Sequence, residues 1–405
     1  MTTIQAADAP VIGRAQLGYG VFDADNHYYE PTDCFTRHMP ASKLDRAVRP
    51  VVREDGTTGA LVGDRELTFL PDPFRERPVQ PGALRQMLRS LKAGRVEEGS
   101  DVIEGMRPAF QDREARLRLM DEQGIEAALL LPTLGVCVEH AMSRDVEQTY
   151  LNLRAFNEWL DEDWGFAHAG RIYAPPLLSL LDLDRAVDEL ERVLDRGARV
   201  IHLRPGPQGG RAPGDPRYDP FWSRVAEAGV AVAFHIAESG YNEMFSVRYG
   251  EEPNPSSHRQ SAFQWTSFYG DRPIMDTVSS LIFYNFFGRY PGIRVLSLEN
   301  GSLWVPYLLR AMDKMVGMGR HGPWPGGRLD ERPGEVFRRH VLVSPYHEED
   351  VVALAGEIGA SQVLFGSDYP HPEGLADPVS FADALEPLGP EAVRRIMRTN
   401  LEEIL

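Results

Sequence analysis

The segment Leu183–Arg204, LDRAVDELERVLDRGARVIHLR, contains the pattern that decides the fold. Its residues up to Arg196 place apolar and charged side chains at helical spacing, Gly197 follows, and an apolar run begins directly after it. Glycine adopts the left-handed conformation that commonly ends a helix, so the segment predicts a helix–glycine–strand unit. Three more such units indicate an α/β protein with a parallel sheet. Their predicted helices are Arg113–Gln123, Pro220–Ala228 and Glu348–Ile358, which end at Gly124, Gly229 and Gly359.

Short runs rich in Val, Ile and Leu recur between these helices and are predicted to be strands. Such continuous apolar runs are typical of parallel strands that are buried on both faces. Eight runs favour a closed (β/α)8 barrel over an open sheet, and no GxGxxG motif follows the first run, which argues against a dinucleotide-binding fold. The predicted strands are Gly20–Asp25, Ile125–Pro132, Ile172–Leu177, Ala198–Arg204, Val230–Ile236, Ile293–Leu298, His340–Ser344 and Gln362–Gly366.

Two long segments interrupt this alternation. Residues 31–110 contain a predicted hairpin over Val51–Phe69 and a charged helical patch, and residues 238–275 are polar and aromatic with scattered Pro and Gly. They follow the first and the fifth predicted strand, so both are expected to lie over the carboxyl-terminal mouth of the barrel as lids. Residues 1–405 are accordingly expected to form a single barrel domain with two insertions.

Composition excludes several classes of function. The net charge is −17 and the sequence contains no basic block, which argues against binding to nucleic acid or to an anionic membrane. The apolar runs are far too short to span a bilayer, and Met1–Pro10 lacks the apolar core of a signal peptide. The two cysteines, Cys34 and Cys137, are distant in sequence and form no CxxC motif. A cytoplasmic location is expected.

Acidic and histidine side chains lie at the ends of three predicted strands. The first strand ends in Asp23-Ala-Asp25-Asn-His27, and alternate residues of a strand face the same side, so Asp25 and His27 are predicted to bind one ion, with Asp23 deeper on that face. His235 ends the fifth strand, and Asp368 follows the eighth. Taken singly, each has a structural explanation as a capping acid or a buried histidine. Because the carboxyl ends of barrel strands meet at one mouth, together they predict a metal site made of Asp25, His27, His235 and Asp368.

Several segments of the sequence also resemble one known family. They are DADNHYYEP (23–31), HLRPGP (202–207), YDPFW (218–222), AFHIAES (233–239), LENGSLWVPYLL (298–309) and LFGSDYPHPEG (364–374). The chain resembles the amidohydrolase superfamily, in the branch of metal-dependent barrel enzymes that includes aminocarboxymuconate-semialdehyde decarboxylase. The resemblance implies that Asp25 and His27 replace the HxH pair of that family, and that His235 and Asp368 take the places of its other two ligands. Barrels of this family commonly form homodimers, so a homodimer is expected.

The sequence departs from the family pattern at positions that bear on chemistry. Asp25 stands where the family has its first histidine. Glu299-Asn-Gly-Ser302 replaces an HGGG motif whose histidine is thought to carry the proton in the decarboxylases. No lysine occurs in Val200–Arg204, at the end of the fourth strand, so a dinuclear site bridged by a carbamylated lysine is not expected.

Further residues extend the predicted site, although ordinary packing or rim polarity would also explain them. Glu299 and His202 are candidate metal ligands. The candidate catalytic groups are Asp368, Glu299 and His371, and the candidate substrate contacts are Arg204, Tyr28, Trp304 and His140. Mixed nitrogen and oxygen ligands predict one or two divalent ions, of Zn, Mn or Fe.

The leading hypothesis is a metal-dependent enzyme that acts on a small organic substrate, either aromatic or carboxylate-bearing. Its ion would activate a water molecule for hydrolysis or polarise a substrate carboxylate for non-oxidative decarboxylation. One alternative is a non-haem iron oxygenase, mono- or dinuclear, on the same barrel. Another is a binding protein that has lost its activity. Metal content and oxygen consumption distinguish these hypotheses.

Overall fold

The structure of the chain, a computed structural model, describes residues 17–94 and 102–405. Met1–Pro10, considered above as a signal peptide, and residues 95–101 of the first insertion lie outside the described residues. The strands, in chain order, are β1 (Val21–Tyr28), β2 (Val48–Val52), β3 (Thr58–Val62), β4 (Arg65–Leu67), β5 (Ile125–Pro132), β6 (Ile172–Tyr173), β7 (Leu177–Leu178), β8 (Val200–Leu203), β9 (Ala231–His235), β10 (Val295–Leu298) and β11 (Val341–Val343).

Parallel chain segments form a closed (β/α)8 barrel, as predicted. β5 lies between β1 and β6, and β7 to β11 pair in sequence order. Residues 363–369 close the ring between β11 and β1 as the eighth barrel segment. Leu364 N donates to Val343 O at 2.9 Å on one side, and Ala24 N donates to Phe365 O at 2.8 Å on the other.

Two predicted strands differ from the structure in extent. The predicted strand Ile172–Leu177 consists of β6 and β7, which are separated by Pro175 and Pro176, because proline has no N–H to donate to a ladder. The predicted strand Gln362–Gly366 is an extended segment that pairs through isolated bridges, Val343 with Val363 and Asn26 with Tyr369.

The helices lie outside the barrel and in its connections. They are α1 (Leu84–Lys92), α2 (Arg113–Gln123), α3 (Glu139–Met142), α4 (Val146–Asp163), α5 (Leu183–Asp195), α6 (Asp219–Ala228), α7 (Tyr241–Met244), α8 (Ala262–Ser267), α9 (Asp271–Phe283), α10 (Phe286–Arg289), α11 (Trp304–Met318), α12 (Pro333–His340), α13 (Val351–Ile358), α14 (Pro390–Arg394) and α15 (Asn400–Glu402). Across residues 17–94 and 102–405, no helix combines the length and the apolar character that crossing a bilayer requires.

The four predicted helix–glycine–strand units are present. Gly124 and Gly229 end their helices in the left-handed conformation, with φ of 78° and 67°. Gly359 also has a positive φ, of 90°, but its ψ of 142° is extended, so the prediction of a left-handed cap is wrong there. The predicted helix Glu348–Ile358 begins later, at Val351, because the Asp350 side chain accepts a hydrogen bond from Ala353 N and caps it.

Apolar side chains fill the barrel interior, which leaves its mouth as the place for a site. The interior cluster draws on every side of the ring, with members such as Ala24, Leu129, Val200, Ala233 and Leu364. A larger cluster packs between the strands and the surrounding helices.

The first insertion contains a small antiparallel sheet. β2 pairs with β3, Val51 opposite Gly59, and β3 pairs with β4, Ala60 opposite Leu67. The predicted hairpin is thus confirmed, and β4 adds a third strand to it. The domain boundaries and the role of both insertions as lids stay predictions.

Arg116 of α2 is completely buried and contacts the backbone behind β1. Its guanidinium donates to His27 O and to Ala109 O, each at 2.6 Å, and to the side-chain oxygen of Asn26. Burial lowers the pKa of Arg116 to about 10, so the group keeps its charge at neutral pH. This arginine fixes the end of β1, where two of the predicted metal ligands lie.

We expect Arg116→Met to lower the free energy of unfolding by about 2–4 kcal/mol, because each buried acceptor left without a donor costs about 1–3 kcal/mol. Urea denaturation measures the difference. Arg118→Met, on the exposed side of the same helix, is the control and is expected to stay within about 0.5 kcal/mol of the wild type. Equal stability of the two variants would contradict the role given to Arg116.

Candidate metal centre

A β-bulge in β1 directs Asp25 and His27 to the mouth of the barrel. Asp23 pairs with Ala128 of β5 and Asn26 with Leu130, three residues further along β1 but two along β5. Ala24 belongs to the interior cluster, and beyond it Asp25 and His27 line the cavity at the mouth. An extra residue of this kind re-aims side chains. The prediction that Asp23 shares a face with them is therefore wrong.

Asp23 instead joins β1 to the eighth barrel segment. It accepts hydrogen bonds from Ser367 N at 3.0 Å, Ser367 Oγ at 2.5 Å, Asn26 Nδ2 at 2.9 Å and Asp25 N at 3.1 Å. Burial raises the pKa of Asp23 to about 6, and these donors act against that rise. The contacts set the position of Asp25 relative to Asp368, one residue beyond Ser367.

His235, at the end of β9, reaches the site from the opposite side of the barrel. Its Nδ1 donates to Ile236 O at 2.8 Å, so in the neutral ring Nε2 carries the lone pair. That Nε2 lies 3.4 Å from Asp25 Oδ1 and 3.0 Å from Glu299 Oε2. Metal-binding histidines are usually oriented in this way, by a hydrogen bond from the ring nitrogen that does not bind the metal.

Glu299 and Asp368 extend into the site from strained backbone. Their φ angles are 50° and 54°, in the left-handed region that non-glycine residues rarely adopt. Such strain costs about 1–3 kcal/mol and is concentrated at functional sites. Gly366 allows the eighth segment to approach β1 this closely, because a Cβ there would lie 2.6 Å from the Asp25 Cβ.

These elements bring all of the principal predicted ligands together. His27 Nε2 lies 3.2 Å from Asp25 Oδ1, 3.4 Å from Asp368 Oδ1 and 3.7 Å from Glu299 Oε2. His371 Nδ1 lies 2.7 Å from Asp368 Oδ1. Two overlapping groups of ligand atoms result: one is Asp25, His27, His235 and Glu299, and the other is His27, Glu299, Asp368 and His371.

The donor atoms fit a divalent transition-metal ion. Asp25 Oδ1, His27 Nε2 and His235 Nε2 are buried, and in the described part of the chain none of these atoms has a hydrogen-bond partner, although they lie close to one another. Leaving such atoms unpaired costs free energy, which a shared cation would remove. Imidazole nitrogens together with carboxylate oxygens suit Zn, Mn or Fe.

Electrostatics also favour a cation. Burial raises the pKa of Asp368 well above its usual range, and the neighbouring carboxylates of Glu299, Glu373 and Asp25 raise it further. Burial lowers the pKa of His235, but Asp25 and Glu299 outweigh burial and raise it to about 10. The carboxylates thus favour positive charge in their midst.

The site forms the floor of a cavity of about 670 Å³. The two insertions supply much of its wall, including Phe69 and Leu70 from the first and Trp265 and Tyr269 from the second. Among the described residues that line the cavity, Arg75 is the only lysine or arginine.

The predicted aromatic substrate contacts, Tyr28 and Trp304, lie elsewhere. Tyr28 is buried in the outer core, where its ring packs against Trp159 and Trp164 at 5.6 and 5.3 Å. It lies outward because it follows the inward-facing His27 on the strand. Trp304 is also in the outer core, where its indole N–H donates to Gly301 O at 2.9 Å. These two predictions are wrong.

Arg204 and His140 do not line this cavity either. Arg204 is buried, donates to Ser239 O at 3.1 Å and lies 3.6 Å from the Glu139 carboxylate. His140 lies 2.9 Å from Glu243, beside a separate cavity of about 320 Å³. Both follow barrel strands, but their side chains are held by neighbouring acids and carbonyls, so the predicted substrate contacts are not present.

His202 does not join either group of ligand atoms. It is the penultimate residue of β8 and is buried, and among the described residues its Nε2 has no hydrogen-bond partner. Burial, together with the charges of His235 and Arg204, lowers the pKa of His202 to about 3, so the ring is neutral. The role of His202 as a ligand therefore stays a prediction.

The sequence analysis missed several residues that line the cavity, three of which bear on the proposed chemistry. Thr133 Oγ1 lies 2.9 Å from His371 Nε2, Tyr29 lines the cavity, and so does Arg75. Thr133 follows the carboxyl-terminal end of β5, and because barrel sites form at such ends, its position could have identified it as a site residue. Arg75 lies in the first insertion, where the sequence has no helical or strand periodicity from which its position at the cavity could be predicted.

Comparison with known proteins assigns the family. The amidohydrolase family model matches residues 23–405, and the chain belongs to that family. The resemblance drawn from the sequence is therefore confirmed. No curated protein matches the sequence significantly.

Solved structures give the same assignment. An amidohydrolase from Mycobacterium avium subsp. paratuberculosis K-10 is 39% identical, with a TM-score of 0.84 over 95% of this chain and 99% of that chain. A 5-carboxyvanillate decarboxylase from Sphingomonas paucimobilis has a TM-score of 0.58 at 21% identity, over 76% of this chain and 89% of its own. A dihydroxybenzoic acid decarboxylase from Polaromonas sp. JS666, solved with bound manganese and 2-nitroresorcinol, has a TM-score of 0.60 at 17% identity, over 95% and 96%. The last two likenesses concern the fold. The family fits the hydrolase or decarboxylase hypothesis, and the oxygenase and binding-protein alternatives are not favoured.

Proposed function

We propose that the protein is a metal-dependent enzyme that hydrolyses or decarboxylates a small aromatic, carboxylate-bearing substrate. The observation that carries this proposal is the convergence of Asp25 Oδ1, His27 Nε2 and His235 Nε2, buried without hydrogen bonds at the floor of a large cavity. Membership of the amidohydrolase family supports the same conclusion.

Asp25, His27, His235 and Glu299 would hold the ion, with Asp368 beside them. When bound, a divalent ion supplies positive charge that polarises a carbonyl or carboxylate and lowers the pKa of water. His235 keeps its Nε2 free for this purpose by donating its other N–H to Ile236.

Asp368 and His371 would move the proton. Because burial and neighbouring acids raise the pKa of Asp368, its carboxyl can take up and return a proton at a pH at which an exposed acid is ionised. His371 Nδ1, 2.7 Å away, is placed to share that proton.

The cavity wall supports an aromatic acid as the substrate. Tyr29, Phe69, Trp265 and Tyr269 offer ring faces and edges for an aromatic group. Arg75 donates through Nε to Asp72 O at 3.2 Å, and within residues 17–94 and 102–405 its terminal N–H groups make no hydrogen bond, so they would be available to a substrate carboxylate. The aromatic-acid decarboxylases of similar fold guide the choice of compounds to test.

The metal requirement is tested with chelated protein and a panel of hydroxybenzoates, aryl esters and aryl amides. We expect stoichiometric metal after reloading with Mn²⁺, and turnover that chelation abolishes. His235→Ala is expected to lower kcat/KM at least about 100-fold, because the ion contributes several kcal/mol. His258→Ala, a cavity histidine outside the ligand groups, is the control. Full activity of the chelated protein, or turnover that consumes oxygen, would contradict the proposal.

Substrate binding by Arg75 is tested by steady-state kinetics. Arg75→Gln removes a charge-assisted contact worth about 1.5–3 kcal/mol, so KM for a carboxylate substrate is expected to rise about 10–100-fold, with a smaller change in kcat. Arg77→Gln, at a neighbouring exposed position, is the control. An unchanged KM would exclude this role.

We also propose a homodimer located in the cytoplasm. Four apolar residues form an exposed stripe at helical spacing, from the N-cap of α11 to its last residue, that a second copy would cover. They are Leu303, Tyr307, Met315 and Met318, exposed at 77%, 66%, 48% and 73%. The buried free thiols of Cys34 and Cys137 are compatible with a reducing compartment.

Sedimentation velocity tests the dimer. Wild-type protein is expected to sediment as a dimer, and Tyr307→Glu is expected to shift it to the monomer because burying the new charge is unfavourable. Val52→Glu, which changes an exposed apolar residue outside the stripe, is the control. A monomeric wild type, or a dimeric Tyr307→Glu variant, would count against this interface.

A further inference from the structure

The turn that carries Glu299 has an unusual backbone conformation. Glu299 directly follows β10 and has a φ of 50°, and Gly301, two residues later, has a φ of 63°. Both values lie in the left-handed region, which glycine adopts freely and glutamate rarely adopts. Without contacts that hold the turn, Glu299 is expected to relax to the right-handed or the extended region, and its carboxylate would then leave the site.

Asn300 connects the middle of this turn to β9, the strand that ends in His235. Its side-chain amide donates to Phe234 O at 2.8 Å and to Leu298 O at 2.8 Å. Asn300 is completely buried, so water does not compete for these hydrogen bonds. The middle of the turn is thus fixed relative to His235, and the two ends of the turn need contacts of their own.

Two residues from the connection after β11 hold these ends. Tyr346 donates from its hydroxyl to Glu299 O at 2.9 Å. Glu349 accepts from Ser302 N at 3.0 Å and from Ser302 Oγ at 2.8 Å. Glu349 also accepts from Tyr346 N at 3.1 Å, so the two residues that hold the turn are joined to each other. The Tyr346 ring lies against Gly301, where an added Cβ would come within 2.8 Å of the ring.

The contact from Tyr346 acts on the backbone of Glu299, whereas the candidate ligand atom belongs to the side chain. Glu299 Oε2 lies 3.0 Å from His235 Nε2 and 3.7 Å from His27 Nε2. The direction in which a side chain extends depends on the φ and ψ of its own residue. Loss of the Tyr346 hydroxyl would therefore loosen the Glu299 carboxylate without removing a ligand atom or a charge.

We propose that Tyr346 and Glu349 are positioning residues, which hold Glu299 in the left-handed conformation in which its carboxylate can bind the metal ion. The inference rests on the proposed function, in which Glu299 is one of the ligands. Residues that orient a ligand in this way typically change metal affinity about 10–100-fold when they are replaced.

Binding of Mn²⁺ tests the inference independently of turnover. The full-length protein is stripped with a chelator and titrated with Mn²⁺, and the free ion is measured by electron paramagnetic resonance. Tyr346→Phe and Glu349→Gln are each expected to raise the dissociation constant of the tightest-bound Mn²⁺ about 10–100-fold, because each removes an acceptor or a donor that holds the turn. Tyr249→Phe, at an exposed tyrosine of the second insertion, is the control and is expected to keep the wild-type affinity.

A double-mutant comparison separates positioning of Glu299 from a general loss of structure. Glu299→Ala leaves Asp25, His27 and His235 to bind the ion more weakly. Because Tyr346 acts through the Glu299 carboxylate, adding Tyr346→Phe to Glu299→Ala is expected to change the dissociation constant by less than about twofold. Urea denaturation of the metal-free proteins checks that every variant is folded.

Three results would overturn the inference and leave the metal requirement of the proposed function intact. The first is wild-type affinity in folded Tyr346→Phe or Glu349→Gln, and the second is wild-type affinity in Glu299→Ala. The third is an equal loss of affinity from Tyr346→Phe with and without Glu299→Ala. A wild-type protein that binds no Mn²⁺ would overturn the inference and the proposed function together.

Discussion

Negative charge confined to a buried space is the constraint on which this structure depends. Asp25, Glu299 and Asp368 meet at the mouth of the barrel, where His27 and His235 leave buried nitrogen atoms without hydrogen bonds. Carboxylates in such surroundings are tolerated only with compensating positive charge. The backbone strain at Glu299 and Asp368 shows that the fold holds these groups together against their local preference.

Most of the contacts that hold these carboxylates and histidines together lie at the junction between β1 and the eighth barrel segment. Ser367 donates to Asp23 through its backbone and its hydroxyl, and Gly366 leaves room for the Asp25 side chain. Arg116 fixes β1 from the side of the helices. The candidate ligands are thus supported by buried hydrogen bonds, which fix their geometry.

The insertions supply aromatic side chains and an arginine to the cavity wall, whereas the barrel supplies the carboxylates and histidines at its floor. Phe69 and Arg75 from the first insertion face the same cavity as Trp265 and Tyr269 from the second. An aromatic wall with the Arg75 guanidinium thus lies above a set of acids, and in the proposed function the wall would recognise the substrate while the acids and histidines would act on it. This division is typical of barrel enzymes, whose loops vary on a constant scaffold.

The sequence by itself determined the barrel and the principal candidate ligands, because both follow from local rules. Apolar runs after helix-ending glycines specify buried parallel strands, and the carboxyl ends of such strands converge, which predicted that Asp25, His27, His235 and Asp368 share one site. Only the tertiary structure decided which neighbours of these residues belong to the site. The bulge in β1 turned Asp23 away, strand alternation sent Tyr28 outward, and distant chain segments brought Thr133 to His371 and Arg75 to the cavity. Those placements depend on contacts between residues far apart in the chain, which periodicity along the sequence does not encode.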